Sequence, residues 1–127
     1  TIDWRTVIRT DKVKGIIAYE PGGTPFVFPE TEMPTITEAR FKSLSASVIG
    51  VPMQDFLKLA KMPIVLYYGD YIKFGSDKWG SEYAMAQQFV DAVNRHGGDA
   101  TLVHLPEIGL KGNSHFLMQE KNNQQIM

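Results

Sequence analysis

The sequence contains no cysteine, which removes disulfides, thiol nucleophiles and cysteine-ligated metals in one step. Its apolar runs all fall short of the ~20 residues that a membrane-spanning helix needs, and no signal-peptide pattern opens the chain. Neither sign of charge is in surplus, because 13 basic and 14 acidic residues leave a net charge of −1. With no basic block, neither nucleic acid nor an anionic membrane is expected as the main partner. Histidine is scarce as well: His96, His104 and His115 are not at metal-ligand spacing, so no metal or other cofactor is expected.

What is there is ordinary for a folded, soluble protein. The 127 residues are the size of one domain, with 43% apolar and 21% charged residues. The chain opens at Thr1 without a methionine and stops at Met127 within a helical pattern that no capping residue closes. Residues 1–127 are therefore expected to be a portion of a larger domain.

Three runs read as strands. Val13 to Tyr19 is mostly apolar and is closed by Glu20-Pro21-Gly22-Gly23, and Met62 to Tyr68 repeats that design before Gly69-Asp70. Ala100 to Leu105 is the third, ended by Pro106. Runs this uniformly apolar suit a parallel sheet covered on both faces. Between the second and third lies a strong helix pattern: Ser81 as N-cap, Met85, Phe89, Ala92 and Val93 on one stripe, His96 in the last turn and Gly97-Gly98 as the stop. Strand, helix and strand at this spacing form a βαβ unit with a right-handed crossover. A shorter helical pattern spans Met53 to Lys61. The fold class expected is α/β, the C-terminal part of a doubly wound, mostly parallel sheet, incomplete in this chain because three such strands leave an edge without a neighbour.

The stretch Pro25–Pro52 holds no period. It carries Pro25, Pro29, Pro34 and Pro52 together with Phe26, Phe28 and Phe41. A connection this long is often a lid or binding loop. Because it leaves the sheet directly after Glu20, Phe26 and Phe28 are expected to wall a substrate pocket, the alternative being packing against the outer helices.

In an open α/β sheet the reactive crevice lies outside the carboxyl ends of the strands. Glu20, Asp70 and His115 fall at such ends, an acid–base relay without its nucleophile. His115 follows the glycine-bearing loop Gly109 to Ser114 and is expected to begin a helix capped by Asn113 or Ser114, its charge set by the helix dipole against an acid partner. Glu20, which Pro21 restricts to extended angles, and Asp70 both qualify as that acid. His96 suits a helix C-terminus, and His104, inside a strand, suits a half-buried structural role. No serine sits in Gly-x-Ser-x-Gly, and Ser114, with Gly112 before it and Phe116 after it, is half a match.

With these residues in place, the chain resembles the C-terminal half of an α/β-hydrolase, specifically the atypical bacterial carboxylesterases of the esterase 713 type. The matching stretches are Lys14 to Gly22, Met62 to Asp70 and, most specific, Gly109 to Asn123 through Gly112-Asn113-Ser114-His115 and Met118-Gln119-Glu120-Lys121-Asn122-Asn123. The Pro25–Pro52 stretch shows no match. The resemblance implies a serine esterase acting on small carboxylic esters through a Ser–His–Glu triad. Its acid falls on Glu20 and its histidine on His115, with Asp70 in support. It also implies that the serine and the oxyanion-hole amides lie upstream of Thr1, in an N-terminal half that completes the site. The rival expectation is a catalytically inert α/β binding or scaffolding module, which needs no nucleophile.

Overall fold

The order of elements in the computed structural model is α1 (Trp4–Val7), β1 (Ile16–Tyr19), β2 (Phe26–Pro29), β3 (Val48–Val51), α2 (Met53–Phe56), β4 (Pro63–Tyr68), α3 (Asp77–Arg95), β5 (Asp99–His104) and α4 (Asn123–Ile126). The structure describes residues 4–22, 25–34, 48–72 and 77–127. Three apolar runs pair as expected into a parallel sheet of order β1-β4-β5. Ile16 faces Ile64 and Tyr19 faces Tyr67, while Pro63 to Tyr68 run beside Asp99 to His104. Each strand thus ends at the same edge, where Glu20, Gly69 and Leu105 follow.

Burial along the strands alternates instead of being uniform. Ile16, Ala18, Ile64, Leu66 and Tyr68 are buried in the main core, whereas Ile17 between two of them is 63% exposed. Tyr19, Tyr67 and Val103, pointing the other way, pack on Leu105, Leu117 and Ile126 from the C-terminal segment. Among the described residues the second face is therefore covered only at its carboxyl end.

Helix α3 covers the first face with Met85, Phe89, Ala92 and Val93, the stripe read from the sequence. Its start differs: the helix begins at Asp77, and Ser81 is a buried residue within it rather than its cap. Its end is as expected. Gly97 adopts φ +82° and the Gly98 amide donates to the Val93 carbonyl at 3.0 Å, closing the last turn. Asn94 then ties helix to strand, its amide exchanging two 2.8 Å hydrogen bonds with the backbone of Ala100. The Met53–Lys61 pattern breaks into α2 and a 3-10 turn over Leu59–Lys61.

The Pro25–Pro52 stretch contains regular structure at both ends: β2 and β3 form a separate parallel pair with Phe26 opposite Val48. Phe26 and Phe28 are buried against α3, their rings 5.1 and 6.2 Å from that of Phe89, and Trp4 stacks on Phe26 and packs at a tilt against Phe89. This aromatic cluster joins the small sheet and α1 to the core. Deleting one of its rings removes apolar burial and leaves a void, at about 3–5 kcal/mol. Phe41 and the serines at 43, 45 and 47 lie outside the described residues.

Candidate active site

Glu20 is the first residue past β1, and its amide still donates to the Tyr67 carbonyl at 2.8 Å. The backbone then turns sharply, with φ +45° at Glu20. Sequence reasoning placed this residue in extended backbone before Pro21; the left-handed conformation is instead what turns the chain out of the strand. A non-glycine residue there costs roughly 1–3 kcal/mol, so the surroundings must hold it. They do so from both sides. The Tyr68 hydroxyl donates to the Pro21 carbonyl at 3.1 Å, and the Gly69 amide donates to Glu20 Oε1 at 2.6 Å.

Gly69 is small of necessity. A Cβ there would lie 2.8 Å from the Asn113 carbonyl and 3.0 Å from Glu20 Oε1. Through this gap the loop from Gly109 to His115 reaches the sheet edge. Gly109 and Gly112 take φ +88° and +85°, which their lack of a side chain permits. Asp70 pins the loop: its amide donates to the Asn113 carbonyl at 2.8 Å, and its carboxylate accepts from the Gly112 amide. Glu120 pins it again, one oxygen accepting from both the Ser114 amide at 2.9 Å and the Ser114 hydroxyl at 2.5 Å.

These fixings deliver His115 to Glu20. His115 Nδ1 lies 2.7 Å from Glu20 Oε2, a hydrogen bond between residues 95 positions apart in sequence. The carboxylate is buried, 1% exposed at its side chain, while the imidazole is 34% exposed. Burial pushes the Glu20 carboxyl up from its ordinary value, opposed by the Gly69 amide and by the hydrogen bond and charge of His115. Beneath it, burial also drives the Tyr68 hydroxyl well up, helped by Glu82 and Glu20. That keeps Tyr68 a neutral donor to Pro21. With Nδ1 committed to the carboxylate, Nε2 makes no hydrogen bond among the described residues. Chemically, this is a histidine held in one tautomer by a buried acid, able to take and return a proton through Nε2.

No family model and no curated protein matches the chain. A solved structure does, titled as the atomic resolution structure of a novel bacterial esterase, with a TM-score of 0.65 and 24% sequence identity. The match takes in 97% of this chain and 30% of that one. The likeness is one of fold. It agrees with a mostly parallel α/β sheet of esterase-like fold, and this chain spans about 30% of the length of that esterase.

The residues singled out in the sequence separate in space. Glu20 and His115 are brought together; Asp70 is one residue beyond Gly69 and bonds the loop backbone, not the imidazole. Phe26 and Phe28 stand in the aromatic core against α3, buried, and Phe28 also borders a cleft beside Glu32, Met33 and Arg95 whose lining includes neither Glu20 nor His115. His115 does not begin a helix: the chain bends at it, and a three-residue 3-10 turn, Leu117–Gln119, follows Phe116. A helix dipole therefore does not act on it. His104 is buried with Nδ1 3.2 Å from Glu107, and His96 pairs with Glu32 at 3.0 Å beside the Phe56 ring. Among the described residues no cluster of three metal-ligating side chains occurs, and no helix is long and apolar enough to cross a membrane. Sequence reasoning missed Trp79, whose indole centroid is 3.8 Å from that of His115. Its position in the first turn of a helix following β4 was the available signal, since that turn borders the sheet's carboxyl edge.

Proposed function

We propose that this chain is the C-terminal portion of one α/β-hydrolase domain, in a serine carboxylesterase that acts on small carboxylic esters. The observation that carries the reading is the 2.7 Å bond from His115 Nδ1 to the buried Glu20 carboxylate at the carboxyl edge of a parallel sheet. The bacterial esterase of similar fold supports it.

In this mechanism a serine from the N-terminal half attacks the ester carbonyl as His115 Nε2 takes its proton. Glu20 holds the imidazole in the required tautomer and stabilises the imidazolium. As the tetrahedral intermediate collapses, the carbonyl–alkoxy bond breaks and Nε2 returns the proton to the departing alcohol. Water, deprotonated by the same nitrogen, then attacks the acyl-serine; the acyl–Oγ bond breaks, the acid leaves, and Nε2 returns the proton to the serine. Asp70 and Glu120 hold the loop that carries His115.

The test is a full-length protein treated with a fluorophosphonate probe and assayed on short-chain esters. Wild type labels and turns over, and His115→Ala loses about 10³–10⁶-fold in kcat, the scale of other triad deletions. Near-normal hydrolysis by that variant would overturn the assignment. The alternative is an inert binding module, in which no serine completes the site: Ser114, next to His115, gives its hydroxyl to Glu120 and is no nucleophile. A full-length protein that neither labels nor hydrolyses esters would establish that alternative.

A further inference from the structure

The hydrogen bond to Glu20 fixes where His115 Nδ1 lies, but not by itself the tilt of the imidazole plane, which turns with the two side-chain torsions. Asp70 and Glu120 fix the backbone of the loop that carries His115, but the imidazole is a third exposed and its tilt depends on what lies against the ring. Phe116 meets it edge-on at 5.1 Å, and closer still lies Trp79. Its indole lies on the imidazole with centroids 3.8 Å apart and planes tilted by 41°. The indole is itself held, packing partly against the main core from the first turns of α3. It also lies against Gly22, two residues after Glu20. A Cβ on Gly22 would lie 2.5 Å from Trp79 Cζ3 and 2.9 Å from Cη2, so the turn after β1 leaves a seat that only glycine leaves open. The turn that supplies the acid thus also shapes the place of the indole.

We infer that Trp79 is a positioning residue for His115: seated against Gly22, it confines the imidazole to the plane in which Nδ1 meets Glu20 and Nε2 faces the reacting serine. The role rests on the hydrolase reading above. It concerns orientation and not substrate affinity, because a base displaced by a fraction of its reach loses rate while leaving ground-state binding alone.

The experiment uses the full-length protein with Trp79→Leu, Trp79→Phe and Gly22→Val. Trp79→Leu is expected to lower kcat about 10- to 100-fold with KM within about two-fold, the size of a misplaced catalytic group. Trp79→Phe, which keeps a flat ring, recovers most of that loss. Gly22→Val, which displaces an intact indole, reproduces the kcat loss without removing Trp79. Independently of turnover, the imidazole carbon-bound protons of His115, assigned by their absence in His115→Ala, resonate upfield in wild type through the indole ring current. They move downfield in Trp79→Leu and Gly22→Val. An active wild type whose Trp79→Leu variant keeps kcat, or raises KM alone, overturns the positioning role while leaving the esterase reading intact. Unchanged imidazole resonances in both variants overturn the stack itself. A full-length wild type inactive on esters overturns the esterase reading, and this role with it.

Discussion

Glu20→Gln separates the two things that Glu20 does. Glutamine has the same shape, so its carbonyl oxygen still accepts the Gly69 amide, now seen at 2.6 Å, and the residue stays in its buried, left-handed position. What changes is the side facing His115. The glutamine amide donates where the carboxylate accepted, so the hydrogen bond to Nδ1 persists only if Nδ1 is unprotonated. The proton then sits on Nε2, the nitrogen that in the proposed mechanism receives one from the serine. The comparable exchange of a triad carboxylate for its amide costs about 10⁴ in kcat, or about 5 kcal/mol of barrier. Stability moves differently. Burial raises the Glu20 pKa, so the folded protein holds that proton more tightly than the unfolded chain does. The stability linked to this group is complete below the ordinary glutamate value and is lost as pH rises through the raised one. Glutamine cannot ionise and escapes that loss. The variant should therefore melt at or above the wild-type temperature at neutral pH while turning over esters about 10⁴-fold more slowly. Full-length wild type and variant, assayed side by side by initial rates and by calorimetry from pH 4 to 8, give the answer. A fall of melting temperature parallel to the fall of activity, or a turnover close to wild type, refutes the reasoning; so does an Asp70→Asn variant that shows the large loss instead.

Asp70→Ala removes the acceptor of the Gly112 amide but not the Glu20–His115 bond, so denaturant titration should show a loss of about 1–3 kcal/mol, with kcat reduced far less than in Glu20→Gln. Phe28→Ala should lower stability by about 3–5 kcal/mol, with any loss of rate on long and short esters equal, since its ring packs on Phe89; a change in chain-length preference would restore a pocket role. Gly69→Ala should depress kcat at near-normal KM by forcing apart the Asn113 carbonyl and Glu20, checked by steady-state kinetics. The carboxyls of Glu120 and Glu32 are lowered, Glu120 by the Ser114 hydroxyl and amide, Glu32 by His96 and Arg95. Their stabilisation is present above the ordinary glutamate value and is lost as pH falls through the lowered one, so Glu120→Gln should flatten the acid limb of a melting-temperature profile.

Local pattern alone settled β1, β4 and β5, the α3 stripe, its glycine stop and the placing of Glu20 and Asp70 at strand ends, but not the β2–β3 pair. Each of these depends on neighbours within a few residues: a short apolar run, a period of 3.6, or a turn residue at a strand end. The same local rules left three matters open, and tertiary contact decided them. Glu20 and Asp70 have equivalent places in sequence, each just past an apolar strand. They differ because Glu20 turns under the edge at φ +45° to meet an imidazole 95 residues away, while Asp70 meets the backbone of Gly112. Phe26 and Phe28 follow the acid closely, yet pairing with Val48 to Val51 and packing on Phe89 draw them into the core. Trp79 carries no motif at all. Its place on His115 exists only because a helix start, a glycine after β1 and a loop pinned by Asp70 and Glu120 converge at one edge of the sheet, and no period along a chain encodes a meeting of three segments.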